Sequence, residues 1–511
     1  MSLTAAFSFT GGLSWAQIAF SAAGVILLWN IISSVVAWYK LRHIPGPFFA
    51  SFTYLWSFWA AYSGRSNFIM AEGQKKYGSV MRVAPDAITI FDPETLLRIN
   101  SARSPYVKSP WYDGVRFDYR GFNVISLINR DEHYKRKAKL LPAFAGKNVA
   151  ALEAKVDEWF AVLISTIRAR IAKGEEMMEI GLLIQYFQVD MISELSMGKS
   201  WGDLKDNKDH FGYLKMNDYV VPAVQNLGYL PAARALYSSQ WFMKIFGPKT
   251  TDTSGLGLFL GVLQDEVQRR FSENAEKPEE SRDLLDSWMK QGVTADECQF
   301  DLALLVPAGT ETSVMMIRGT LLLLMSSPRV YRTLKQEIRD GIATGRISNP
   351  VTHDEAKSLE YTQAVVREGL RVMVPINFGF AKRVPESGDT ICGKFIPGGT
   401  DVYPNYHALM RCKEVFGEDA DIFRPERFLD SGSDVAYMSK VVDLAFGGGR
   451  WLCLGKLVAL LEMNKIFVEL FRNFDFQIAT PEEPWKRLAY STYIVHDFWA
   501  RVTEDTTMAQ Q

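Results

Sequence analysis

The stretch Phe446-Gly447-Gly448-Gly449-Arg450-Trp451-Leu452-Cys453-Leu454-Gly455 sets one cysteine in a glycine-rich loop that runs into an amphipathic helix pattern. A sulfur that ligates iron must stay anionic, be shielded from oxidation and be approached closely by a flat macrocycle. Glycines at 447, 448 and 449 would let backbone N–H groups turn toward the sulfur, and Gly455 removes a side chain that would strike the macrocycle. A helix starting near Leu454 adds the positive end of its dipole, which favours thiolate over thiol. This is a way to hold a haem iron through Cys453. A lone cysteine is more often a small buried hydrophobe, so the reading needs support from elsewhere in the chain.

Upstream, Thr294-Ala295-Asp296-Glu297 is a capping box that opens an apolar stretch running to Met325 and stopping at Ser326-Ser327-Pro328. Such a helix would span about 48 Å. Its middle, Pro307-Ala308-Gly309-Thr310-Glu311-Thr312-Ser313, is expected to break, because it combines a proline, a glycine and an acid followed by a hydroxyl. Glu368-Gly369-Leu370-Arg371 puts an acid and a base three apart between apolar flanks. That pair should be buried and in need of another partner, which Phe423-Arg424-Pro425-Glu426-Arg427-Phe428 can supply. Val80–Val83 and Ile88–Phe91 read as a hairpin, and 377–384, 400–403 and 474–478 as further strands. Helical periodicity fills most of 130–375. The fold class is therefore mainly α with small β-sheets.

The chain has 511 residues, 48% of them apolar and 13% aromatic, and no linker or repeat divides residues 45 to about 500. A net charge of −1 with interspersed signs argues against a nucleic-acid partner. Four cysteines, at 298, 392, 412 and 453, and six scattered histidines offer no zinc spacing or disulfide framework. No Lys, Arg, Asp or Glu precedes Lys40, and residues 16–38 are mostly apolar. Such a run makes a helix of roughly 34 Å, enough to cross a bilayer. Lys40, Arg42 and His43 follow it and put the body on the cytosolic side. Ile44-Pro45-Gly46-Pro47 then forms a stiff break. The expected division is 1–43 as membrane anchor and 44–511 as one catalytic domain.

The cysteine loop resembles the haem-binding signature of the cytochrome P450 superfamily, Phe-x-x-Gly-x-Arg-x-Cys-x-Gly, except that Trp451 stands at the arginine position and Arg450 lies one residue earlier. The helix segment is similar to the family's oxygen-activation motif, which implies catalytic roles for Thr312 in steadying dioxygen and for Glu311 in proton relay. Glu368, Arg371 and Arg427 match the family's structural Glu-Arg-Arg triad. His133 and Lys137 resemble its Trp/His-x-x-x-Arg pattern, with Lys for Arg. The resemblance implies a P450 fold behind one N-terminal transmembrane helix, and haem b held by Cys453, Phe446, His133, Lys137, Lys382, Arg383 and Arg450. It also implies a monooxygenase in the endoplasmic reticulum membrane, fed with NADPH electrons by a separate reductase, with cytochrome b5 as a second donor. The loop variant looks most like filamentous-fungal, pisatin demethylase-like members of secondary metabolism acting on a terpenoid, polyketide or alkaloid. The pocket is expected around 112–127, 304–308 and 374–380. The competing readings are a haem-thiolate isomerase or dehydratase on the same fold, and a non-enzymatic membrane haem protein.

Overall fold

A computed structural model of the chain describes residues 15–145, 148–273, 283–432 and 434–505. Helices dominate, with one large apolar core between them and a smaller cluster around Trp111, Tyr229 and Tyr403 beside the five-stranded sheet. The five-stranded sheet has the order Val80–Ala84, Ala87–Ile90, Asp401–Pro404, Lys382–Arg383, Val107–Lys108. The expected hairpin forms its edge, and Ala87–Ile90 pairs in parallel with Asp401–Pro404. At the far edge Val107 opposes Arg383 and Lys108 opposes Lys382. Phe474–Ile478 forms a strand as read, paired with Ala500–Glu504.

Two expectations need correction. Within 377–384 only Lys382–Arg383 is strand, because Gly379 and Phe380 take positive φ values of 114° and 55°, which end an extended run. The long helix does not break: Ala295–Met325 is helical throughout its 31 residues, with Pro307 inside it. Its Thr294/Glu297 capping box forms as read. The helix Ile180–Met197 packs along it, approaching closely at Gly309, where an added Cβ would stand 3.0 Å from Ile192. Packing of this kind holds a proline that an isolated helix would not tolerate.

The first helix, Trp15–Leu41, has 27 residues, and residues 1–14 lie outside the described part. Its last turns are tied to the body. Leu41 is buried, and the buried Arg82 guanidinium donates to the carbonyls of Ala37 (3.0 Å) and Trp38 (3.3 Å). Among the described residues, the one helix long and apolar enough to cross a bilayer by composition is the internal Ala295–Met325, and its apolar window is 67% buried in the core.

Glu368 and Arg371 share one face of the helix Glu360–Val372 and are fully buried. Arg371 grips both carboxylate oxygens at 2.7 Å, and Arg427 Nε donates to one of them at 3.0 Å. The two guanidiniums also bond carbonyls of Met410, Ala420 and Ile422. The turn Pro425–Phe428 is thereby fastened to this helix and packs on Val435–Val442, which leads into the cysteine loop. Glu368→Gln would leave the buried Arg371 without a carboxylate and Arg427 with Asp419 alone, a loss of about 3–5 kcal/mol. Thermal unfolding followed by circular dichroism should show a clear fall in Tm, and an unchanged Tm would contradict this account.

Candidate functional site

Cys453 lies at the wall of a cavity of about 360 Å³, which Phe446, Gly447, Trp451, Leu452 and Gly455 also line. The loop is tight. Cys453 N–H donates to the Phe446 carbonyl at 2.8 Å, and Gly447 and Gly449 take φ values of 73° and 53°, which other residues rarely adopt. A Cβ at Gly449 would come within 2.7 Å of the Ser101–Ala102 backbone. At Gly455 it would meet only Cys453 Sγ, at 4.0 Å, so the space beside the sulfur stays open. The helix Lys456–Asn473 begins just beyond. Cys453 is exposed to the cavity but enclosed by the protein as a whole. Burial pushes its thiol up, while the N–H groups of Gly455 and Lys456 and the Lys137 ammonium pull it down. The N–H groups facing the sulfur are thus those at the start of the helix, rather than those of residues 447–449.

The acid–alcohol pair lines the same cavity. Burial raises Glu311 to about 7, against the nearby Arg318 charge. The carboxyl receives Gln185 Nε2 at 3.3 Å and the Tyr213 hydroxyl at 3.4 Å, and Gln185 in turn accepts from Arg318 at 2.7 Å. Thr312 donates its hydroxyl to the Ala308 carbonyl one turn back, at 2.7 Å.

Of the basic residues expected here, the cavity wall carries His133, Lys137 and Lys382, joined by Lys108, which the sequence reading missed. Among the described residues none of the three lysines forms an ion pair, although burial lowers each of them, Lys382 to about 7. Burial and the lysines lower His133 to about 3. Lys137 Nζ donates to the carbonyls of Arg450 (3.0 Å) and Leu452 (2.6 Å), so it also braces the loop. Arg383 and Arg450 do not reach this wall. Arg383 pairs with Asp401 at 2.8 Å, because neighbouring strand residues point to opposite faces. Arg450 turns outward to the carbonyls of Ala102 and Ser104.

Much of the remaining lining is apolar; part of it falls where the sequence placed it, at Tyr112, Val115 and Phe117, at Leu304, Leu305 and Ala308, and at Ile376 and Phe380, while Phe144, Ile192, Trp288 and Val366 come from stretches the sequence reading did not single out. The model of the family described as Cytochrome P450 matches residues 45–495. The chain belongs to the cytochrome P450 family. It is 36% identical over 471 residues to the cytochrome P450 monooxygenase aba1 of Botryotinia fuckeliana, covering 91% of this chain and 92% of that one. The cytochrome P450 monooxygenase abl1 of Leptosphaeria maculans is also 36% identical, over 495 residues, covering 94% of this chain and 86% of its own. For gsfF of Penicillium aethiopicum the identity is 26%, with 90% and 93% covered. This cytochrome P450 is accordingly a monooxygenase that requires O2, a substrate, haem b and electrons from an NADPH-dependent redox partner.

The donor set fits that cofactor. A sulfur with open space beside it and buried lysines that form no ion pair among the described residues line the same cavity, the lysines ready for the macrocycle's two carboxylates. The sequence reading also missed Gln188 and Glu462. Gln188 Nε2 reaches the Gly309 carbonyl at 3.3 Å and Glu462 at 3.2 Å, linking the cysteine helix to the long one. A single acid among Leu460, Leu461 and Met463 was the available signal.

Glu462 lines the cavity, has one unpartnered oxygen, and is pushed by burial from 4.5 to about 8. Its contribution to stability is full below about 4.5 and is lost as the pH rises through about 8. Glu462→Gln should therefore gain Tm relative to the parent between pH 5 and pH 8.5. Melts showing the same pH dependence for both proteins would refute this.

Proposed function

We propose that this P450 is a single-pass protein of the endoplasmic reticulum membrane that inserts one oxygen atom into an apolar small molecule of fungal secondary metabolism, a terpenoid, polyketide or alkaloid. The observation that carries the reading is that Cys453 and the Glu311–Thr312 pair line one largely apolar cavity. Haem b, when bound, supplies the activation of O2. The chain does the rest. Cys453 ligates the iron through sulfur; His133, Lys137 and Lys382 hold the carboxylate edge. Glu311, raised by burial to about 7, holds and passes a proton beside its contacts with Gln185 and Tyr213, and Thr312 presents its hydroxyl on the next residue. The apolar walls orient substrate and exclude water.

Retention of the acid–alcohol pair favours oxygenation over isomerisation or dehydration on the same fold, neither of which consumes O2 or NADPH. A pisatin demethylase-like type and electron delivery by NADPH–cytochrome P450 reductase, with cytochrome b5 as a second donor, belong to the same proposal. The membrane reading is supported by exposed Phe48, Phe49, Leu55 and Trp59, which follow the first helix.

With a reconstituted reductase, Thr312→Ala should keep the substrate-induced spectral change while product per NADPH falls and hydrogen peroxide rises. Loss of one well-placed proton-transfer group costs about 10²- to 10⁴-fold, less where water replaces the hydroxyl. Full product yield without extra peroxide would remove the proton role and return weight to the isomerase reading. A chain beginning at Val36 keeps the carbonyls that Arg82 grips. It should retain haem but sediment less with lipid vesicles than the full chain, whereas a chain beginning at Ile44 should also melt lower. Equal vesicle binding by all three would contradict the anchor.

A further inference from the structure

Trp451 occupies the loop position where the family carries arginine, and Arg450, its guanidinium 5.6 Å from the centre of the Trp451 ring, is bonded to the carbonyls of Ala102 and Ser104 and does not line the cavity, so the residue expected to bind the macrocycle's carboxylate edge from this loop is missing. The surroundings of Trp451 are cationic. Lys108 and Lys382, directly opposed on adjacent antiparallel strands, hold their ammonium groups 5.4 and 4.5 Å from the centre of its ring, and the His133 ring lies 5.3 Å away. Like charges directly opposed across strands repel, and this pair is buried, so the arrangement needs a negative partner.

The hydrogen-bond inventory narrows what can serve that partner. An ammonium has three donors, and all three of Lys108 are taken by the carbonyls of Val124 (3.1 Å), Ile125 (2.7 Å) and Leu127 (3.1 Å). Lys108 contributes charge and braces that loop. Lys382 bonds only the Tyr112 hydroxyl, at 2.8 Å, and keeps donors to spare. The Trp451 Nε1–H is buried with no acceptor among the described residues, and Trp451 lines the cavity. A buried indole N–H ordinarily finds a partner.

We propose that Trp451 is a cofactor-binding residue, its indole N–H donating to a carboxylate of the haem edge in place of the missing arginine, with Lys108 and Lys382 on its ring supplying the charge. This rests on the haem assignment, and the experiment separates the two. Full-length Trp451→Phe keeps the ring between the lysines and removes the N–H, while Trp451→Arg restores the family's residue. Each is loaded with haem or with haem dimethyl ester, which cannot accept as a carboxylate, and transfer to excess apomyoglobin is timed.

Trp451→Phe should lose natural haem about tenfold faster than the parent, the loss of one hydrogen bond to a charged group. Trp451→Arg should retain it at least as long as the parent. Parent and Trp451→Phe should release the diester at the same rate. Equal release of natural haem by parent and Trp451→Phe, or the same tenfold gap with the diester, would overturn the role of the N–H. A parent without the thiolate-type reduced carbon monoxide spectrum would overturn the haem assignment, and this proposal with it.

Discussion

The buried carboxylate of Glu368 bridges two guanidiniums, and the position of the cysteine loop depends on it. Glu368, Arg371 and Arg427 are each at most 1% exposed. Charges buried so completely are tolerated only when their donors find acceptors, and here backbone carbonyls from 410 to 422 and the Asp419 carboxylate complete the set. The cost of breaking any part is high, so the segment from Met410 to Phe428 has one available arrangement. The following helix, Val435–Val442, then delivers Phe446 and Cys453 to the cavity.

Within the cavity, charge is sorted by wall. Lysines and His133 gather around Trp451; burial lowers all of them, and neighbouring cations lower Lys108, His133 and Lys382 further. On the long helix and on the helix after the cysteine loop stand two acids, Glu311 and Glu462, raised by burial to about 7 and about 8. Each group is held away from its preferred charge state by the low-dielectric surroundings. An anionic edge at the first wall relieves the cations. A carboxyl that titrates near neutrality at the second can both release and recover a proton.

The long helix shows how local and tertiary terms compete. Pro307, Gly309 and the hydroxyl residues around them favour a break. Close packing of Ile180–Met197 at Gly309, with Gln188 capping the Gly309 carbonyl, keeps the helix continuous. The same packing brings Gln185 to Glu311 and so shapes the site's proton chemistry.

The sequence by itself determined the family and the buried triad, and it singled out Cys453, the Glu311–Thr312 pair and part of the apolar lining that the structure brings to one cavity, because each is carried by residues close together in a motif or by a burial pattern along one element. Its hairpin and its Phe474–Ile478 strand were legible for the same reason. Only the tertiary structure decided which basic residues face the cavity. Arg383 and Lys382 are neighbours in the chain, but strand alternation sends one to Asp401 and the other to Trp451. Lys108, Gln188 and Glu462 belong to no local motif and meet the site through strand pairing and helix packing across hundreds of residues. A side chain's direction and its partners are set by those long-range contacts, which linear spacing does not encode.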